Sequence, residues 1–275
     1  LAAAVLSQQP LLRRTAAASV AVPDPEERAA LLAPLLSDPV KAVRLAAVAQ
    51  LAGVPRELFE GDRREAFDRG LDEYRRAMAY ALDFASQAMN LGNLHADLRQ
   101  PGEAERYYRI ALEIDDLFYP AKMNLAVLLS GQGRHPEAET LLREVLEAYP
   151  ENADAAYSLG LLLVEMGRPA EALGHLFRAV QGMPENTRAR YNLGLLLQQE
   201  GRIEEAELEL AAALELEPES LEYLYALADH QLRRGRLAAA LTLAERMIAA
   251  HPEEPIGHDL KALVGRALAE RGSSR

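Results

Sequence analysis

The sequence contains no cysteine and no tryptophan, and its tyrosines and phenylalanines bring the aromatic share to only 5%. Without cysteine there are no disulfides, thiolate metal sites, iron–sulfur clusters, cysteine nucleophiles or covalently attached haem within these 275 residues. Positive charge is also short: 30 Lys and Arg face 42 Asp and Glu, a formal net charge of -12. A nucleic-acid binder carries a basic footprint to neutralise phosphates, and this balance argues against one. No uninterrupted apolar run approaches the roughly 18 residues of a membrane span, and the opening LAAAVL lacks the basic start of a signal peptide. The chain starts at Leu1 rather than Met, which reads as a piece of a longer protein. What is abundant is small and aliphatic: 49% of residues are hydrophobic, mostly Ala, Leu and Val, a composition that favours helices over sheets.

The chain repeats itself every 34 residues from Ala85 to about Pro252. The register is carried by Asn90-Leu91-Gly92, Asn124-Leu125-Ala126, Ser158-Leu159-Gly160, Asn192-Leu193-Gly194 and Ala226-Leu227-Ala228. Twelve residues beyond each small residue stands an alanine: Ala104, Ala138, Ala172, Ala206 and Ala240. Small residues at both places let two helix backbones approach closely, where a larger side chain would push them apart. Gly133-Arg134, Gly167-Arg168, Gly201-Arg202 and Gly235-Arg236 occupy one position between the two helices, where glycine takes a left-handed C′ conformation; the first unit is expected to use Pro101-Gly102 instead. Pro150, Pro184, Pro218 and Pro252 close the units, with Asp116 at the corresponding place in the first.

These motifs resemble the tetratricopeptide repeat, a helical hairpin that stacks because no unit can bury its apolar face alone. The expected fold is an all-α, right-handed α-solenoid with five units at 85–118, 119–152, 153–186, 187–220 and 221–254. Ile256, Leu260, Leu263, Val264 and Leu268 recur at helical steps, so residues 255–275 are expected to form a capping helix over Pro255 to Arg271 and a frayed tail from Gly272 to Arg275. The first 84 residues do not follow the 34-residue register. Asp38-Pro39 precedes Val43-Arg44 much as Gln9-Pro10 precedes Arg13-Arg14, with the prolines 29 residues apart. Residues 1–55 therefore resemble HEAT-type helical repeats, in which Asp38 caps a helix and Pro39 lies in its first turn. In residues 56–84, Leu58, Phe59, Phe67, Leu71, Tyr74, Met78 and Leu82 form a helical stripe broken near Gly61, expected to be connecting helices.

Residues 1–84 carry 11 basic and 12 acidic groups, 85–254 carry 15 and 28, and 255–275 carry 4 and 2. Glu204, Glu205, Glu207, Glu209, Glu215, Glu217 and Glu219 crowd the second helix of the fourth unit and its exit, where the resembled fold has its solvated convex side.

In the tetratricopeptide fold the first helix of each hairpin lines the concave face. Carried over by position, that face holds Met89, Asn90 and Asn93; Met123, Asn124 and Val127; Tyr157, Ser158 and Leu161; Arg188, Tyr191, Asn192 and Leu195; and Tyr225 and Asp229. Side-chain amides can exchange paired hydrogen bonds with an extended peptide backbone, and Tyr and Met add apolar contact at low ordering cost. Tyr and Asn are common at these positions of the repeat whatever it binds. Asp97, Asp154, Glu165, Glu222 and Asp229 outnumber Arg188 and Arg233, so the expected partner is a neutral to mildly basic peptide or protein segment. The carboxylate clamp of chaperone adaptors is absent, because Ser86, Met89, Pro120 and Met123 stand where its cations would be.

An enzyme is not expected, nor any cofactor or metal. His95, His135, His175, His230, His251 and His258 include no pair at the four-residue spacing of a helical zinc site. The Gly-Arg pairs are not phosphate loops, because no strand precedes them and no GK[ST] follows. The leading reading is a non-catalytic scaffold for protein–protein interaction; self-association into a homo-oligomer is an alternative. The order of Asp38-Pro39-Val40-Lys41-Ala42-Val43-Arg44, Leu71-Asp72-Glu73-Tyr74, Asn90-Leu91-Gly92 and Leu159-Gly160-Leu161-Leu162-Leu163-Val164 also resembles the C-terminal half of bacterial multihaem cytochrome proteins. That resemblance implies an accessory or docking region for a haem domain outside this chain, and a periplasmic rather than a default cytoplasmic location.

Overall fold

The computed structural model of the protein describes residues 2–273, with side chains described for 3–269. Among the described residues every regular element is helical, sixteen α-helices and two short 3-10 turns. None of these helices is long and apolar enough to cross a membrane. The chain divides between Arg134 and His135 into two compact units.

The first unit holds α1 (Ala2–Val5), α2 (Pro10–Ala18), α3 (Pro25–Leu32), α4 (Lys41–Leu51), α5 (Asp62–Tyr80), α6 (Ala85–Asp97), α7 (Pro101–Ile114) and α8 (Tyr119–Gly131). Asp24 starts α3 by accepting from the amides of Glu26 and Glu27 at 2.8 and 2.9 Å. The core gathers Leu32, Leu36, Val43, Val48 and Leu51 with Phe59 and Phe67, whose rings stack at 4.7 Å. The stripe between 56 and 84 resolves into a 3-10 turn, Arg56–Leu58, and one long helix, α5, entered through Gly61 at φ +50°. Phe67, Leu71 and Tyr74 are its buried side.

Two expectations for this region are corrected. Asp38 does not cap α4. The N-cap is Val40, without a side-chain bond, and Pro39 lies outside the helix. Asp38 instead accepts from the Val40 amide at 2.8 Å and from Arg13 Nε and Nη2 at 2.6 and 3.1 Å. The echo is also 31 residues, not the 29 between the prolines. Ser7 and Asp38 each accept from the amide two residues on, at 3.1 and 2.8 Å. Arg13 and Arg44 each reach back six residues, to the carbonyls of Ser7 and Asp38, both at 2.8 Å. Arg44 then grips Glu73 with two bonds of 2.8 and 2.6 Å, tying α4 to α5 as Arg13 ties α2 to the start of α4.

The second unit holds α9 (His135–Ala148), α10 (Ala153–Glu165), α11 (Pro169–Gly182), α12 (Thr187–Gln199), α13 (Ile203–Leu216), α14 (Leu221–Arg233), α15 (Leu237–Ala250) and α16 (Pro255–Ser273). Within it α10 packs on α11, α12 on α13 and α14 on α15, as α6 packs on α7 in the first unit. The crossings are as tight as the small residues suggest. A Cβ on Gly160 would sit 2.7 Å from Leu176 Cδ2, and one on Gly194 would sit 2.8 Å from Leu210 Cγ. All five alanines of the repeat are fully buried. The helix α16 lays Leu260 and Val264 into the core of α14 and α15, with Gly257 close against Met247 and Ile248. It extends to Ser273, two residues past the expected end; the last two residues of the expected tail, Ser274 and Arg275, lie outside the described residues.

Each first helix ends in a left-handed residue. Gly133, Gly167, Gly201 and Gly235 have φ between +68° and +76°. The next amide returns to the carbonyl five residues back, as from Arg168 to Leu163 at 2.8 Å and from Arg202 to Leu197 at 2.9 Å. In the first hairpin Pro101-Gly102 does not do this job, contrary to expectation. Arg99, a full repeat before Gly133, takes φ +58°, with Gln100 N donating to His95 O at 2.8 Å. Pro101 opens α7 and Gly102 lies in its first turn.

Candidate functional site

The residues expected on the first-helix face lie on α6 and α8 in the first unit and on α10, α12 and α14 in the second. On α6 and α8, Met89, Asn90, Asn93, Met123 and Asn124 are half-buried and Val127 is exposed. Their amides are engaged within the fold. Asn93 Oδ1 accepts both Tyr108 Oη and Asn124 Nδ2 at 2.8 Å, and Asn90 Nδ2 points to Met78 Sδ at 3.9 Å.

In the second unit Tyr157, Ser158, Leu161, Tyr191, Asn192 and Asp229 are half-buried, whereas Arg188, Leu195 and Tyr225 are exposed. Asn192 Nδ2 donates to Tyr157 Oη at 2.7 Å, joining α12 to α10. Arg188 donates to both carboxylate oxygens of Glu222 at 2.8 and 2.9 Å, joining α12 to α14, and lies over the Tyr191 ring at 5.7 Å. Tyr191 and Tyr223 meet at 5.2 Å, and Tyr223 Oη reaches Thr187 Oγ1 at 3.3 Å. Asp229 accepts from Arg233 Nε at 2.6 Å. Burial raises the Tyr157 phenol, partly offset by the Asn192 bond, and burial with Glu222 nearby raises Tyr191. Both stay neutral hydroxyls. The result is a row of tyrosines one repeat apart, interleaved with matched charges and with Leu161 and Leu195.

The arrangement differs from a free ladder of amides. Asn124 and Asn192 each spend a donor on the preceding repeat, so they align successive first helices as well as facing outward. Sequence reasoning also missed two concavities away from this face. One, of about 510 Å³, lies between α4 and α5 and is lined by Leu36, Pro39, Arg44, Ala66, Gly70 and Glu73. The other, of about 130 Å³, sits at the turn into α10 beside Asn152, Ala153, Arg178 and Gly182.

His95 and His230 serve packing. His95 Nδ1 lies 2.7 Å from Gln100 Oε1 and its ring stacks on Tyr107 at 5.3 Å. His230 is 1% exposed, with Nδ1 at 2.7 Å from Gln198 Oε1. Among the described residues no group of three or more His, Asp or Glu side chains could hold a metal ion.

The acidic second helices do more than face solvent. Arg134 pairs with Glu105 at 2.8 Å, Arg168 with Glu139 at 2.6 Å and Arg236 with Glu207 at 2.7 Å, each across 29 residues. Arg202 has Leu173 at that distance, and it lies over the Phe177 ring and pairs with Glu205 instead. The Arg109 bond, with Arg134 behind it, holds Glu105 below the usual carboxylate range; Arg168, then Arg143, do the same for Glu139, and the Gln231 bond, then Arg236 and Arg234, for Glu207.

Helical hairpins with small crossing residues, left-handed glycine turns and a fixed register define a helical-repeat protein. The chain belongs to the tetratricopeptide repeat family: models of that repeat match residues 84–114, 123–186, 163–223 and 199–264, together more than half of its length. No curated protein sequence matches the chain. Among solved structures it is similar to YrrB, described as a TPR protein with an unusual peptide-binding site, at 26% identity and TM-score 0.57 over 69% of this chain and 97% of that one. It is also similar in fold to MamA from Desulfovibrio magneticus RS-1 (24% identity, TM-score 0.53, 60% of this chain and 92% of that one). A tetratricopeptide repeat protein from Parabacteroides merdae matches at 20% identity and TM-score 0.58, over 69% and 75% of the two chains.

Proposed function

We propose that this chain is a non-catalytic protein-interaction scaffold and that the face of α10, α12 and α14 holds an extended, neutral to mildly basic segment of a protein partner. The observation that carries the reading is the file of Tyr157, Tyr191 and Tyr225, accessible at one repeat position with Leu161 and Leu195 beside them. Tyrosine offers a rigid apolar ring and a hydroxyl at low ordering cost, which suits a sequence-tolerant peptide site. Each guanidinium on the face, Arg188 and Arg233, already has a carboxylate, and Asp154 and Glu165 add further negative charge. The likeness to YrrB supports the peptide-binding class.

The test is an array of short synthetic peptides of varied charge, probed with the wild type and with Tyr191→Ala/Asn192→Ala. Binding should favour neutral and basic peptides and fall by about tenfold or more in the variant, the effect of losing one partly buried aromatic anchor. Equal binding by both proteins, or a preference that grows with acidic content, rules this face out.

A further inference from the structure

In the second unit the turns into α10, α12 and α14 read Pro150-Glu151-Asn152, Pro184-Glu185-Asn186 and Pro218-Glu219-Ser220. Each last residue caps its helix: Asn152 and Asn186 accept from the amides of Ala155 and Ala189 at 2.9 Å, and Ser220 from Tyr223. The first unit departs from this at the same register positions. The turns into α6 and α8 read Leu82-Asp83-Phe84 and Asp116-Leu117-Phe118, and neither phenylalanine makes a side-chain cap. Two polar caps have been given up for aromatic rings, one of which is largely in solvent. Phe84 is 64% exposed, Leu117 57% and Tyr119 41%. Phe118 packs into the fold, but at Phe84 the local rule is broken without such a gain, which marks a site with another use.

The two turns belong to one surface. Ala85, Ala88, Ala111 and Ala121 form a single buried cluster, with Leu82, Ile110 and Phe118 packed against it, so the N-termini of α6 and α8 and the C-terminus of α7 lie together. The rim is mainly acidic. Asp83, Glu113, Asp115 and Asp116 are exposed and no Lys or Arg occurs in 77–98 or in 110–121, while the half-buried Lys122 follows in the first turn of α8. An apolar centre inside a carboxylate rim complements a segment that alternates large aliphatic residues with lysine or arginine, and it repels phosphate surfaces and a second copy of itself.

We propose that the turns into α6 and α8 form a second docking surface, distinct from the tyrosine face, for a cationic apolar segment of a protein partner. Phe84 and Leu117 supply the anchors, and the acidic rim selects charge and speeds encounter.

The test uses the full chain and a fluorescein-labelled peptide built of leucine and lysine, with a leucine–glutamate peptide as control. The variant Phe84→Asn/Leu117→Glu/Tyr119→Ala installs residues that the later turns carry, so it restores a cap and should melt no lower than the wild type. The leucine–lysine peptide should bind the wild type saturably by anisotropy, and about tenfold more weakly to the variant. The control should not bind, and Tyr191→Ala/Asn192→Ala should leave the affinity unchanged. Equal affinity for wild type and turn variant, no binding to the wild type, or loss in the Tyr191 variant overturns the proposal. So does sedimentation of the wild type but not the turn variant with phosphatidylcholine vesicles, which would make the turns a membrane contact. A wild-type dimer that the turn variant abolishes would do the same, because the surface would then serve self-association.

Discussion

Arg99 shows how one side chain can occupy a place written for another. At the corresponding turns Gly133, Gly167, Gly201 and Gly235 reach positive φ without strain, whereas a Cβ in that region costs about 1–2 kcal/mol. Arg99→Gly should therefore stabilise the first hairpin by about 1 kcal/mol after glycine's greater unfolded-state entropy is subtracted. Urea unfolding would read this as a higher midpoint at unchanged slope, and a lower midpoint would mean that the Arg99 side chain holds the turn. The same residue explains a misreading of the sequence. Pro101-Gly102 looks like a turn by composition, but proline at the first position of α7 is as well suited to opening a helix, and the 34-residue register points to position 99.

At the scale of the helical pair, the crossing is set by residues that nearly vanish. Ala172 is fully buried on α11 in the hairpin where Gly160 of α10 meets Leu176. Ala172→Leu should overpack this crossing and lower stability by about 1–3 kcal/mol. Hydrogen exchange should show α10 and α11 opening first, and wild-type protection there would mean that the helices cross elsewhere. The helices and crossings were legible because backbone approach leaves its mark as an unbroken period of small residues. Less could be seen of the bonds between repeats. Asn124 reaches back 31 residues to Asn93, whereas Asn192 reaches back 35 to Tyr157, so neither tie follows the period. The face positions could be read from register, but not the fact that two of their amides are already committed. In residues 1–55 the prolines were a poor guide for the same reason: the 31-residue echo lives in what Arg13 and Arg44 bond to, not in where Pro10 and Pro39 stand.

Over the whole molecule, acid should act in two stages. Burial holds His230 below the ordinary histidine range, with Arg234 and Arg236 lowering it further while Glu207 and Asp229 pull upward. Its Nε2 is buried without a hydrogen-bond partner. A histidine depressed in the folded state is neutral there while the unfolded chain takes up the proton near pH 6.5, so this contribution is intact above about pH 6.5 and declines below it. Asp38, Glu105, Glu139 and Glu207 are held below their ordinary range, so what they contribute persists above about pH 4.5 and is lost as pH falls through their folded values. His230→Leu, which installs the residue found at positions 196 and 162, should shrink the first decline in melting temperature between about pH 7 and 5, with His175, which burial also lowers, carrying the remainder, and should leave the second decline in place. An unchanged first decline would assign it to another group.

The ties from Glu105 to Arg134, Glu139 to Arg168 and Glu207 to Arg236 all span the same stretch of chain: most of one second helix, a connecting turn, a whole first helix and the turn that follows it. A single residue inserted in that stretch would swing everything after it by about 100° around a helix axis and carry the arginine away from its acid. Thirty-four residues inserted together would put a new glutamate and a new arginine back in step. Such a chain resists lengthening by small insertions, yet duplicating a unit whose second helix carries the glutamate re-forms the ion pair at the seam, whereas the unit with Leu173 in that place would not. The spacing of three ion pairs thus sets the increment in which this protein can grow.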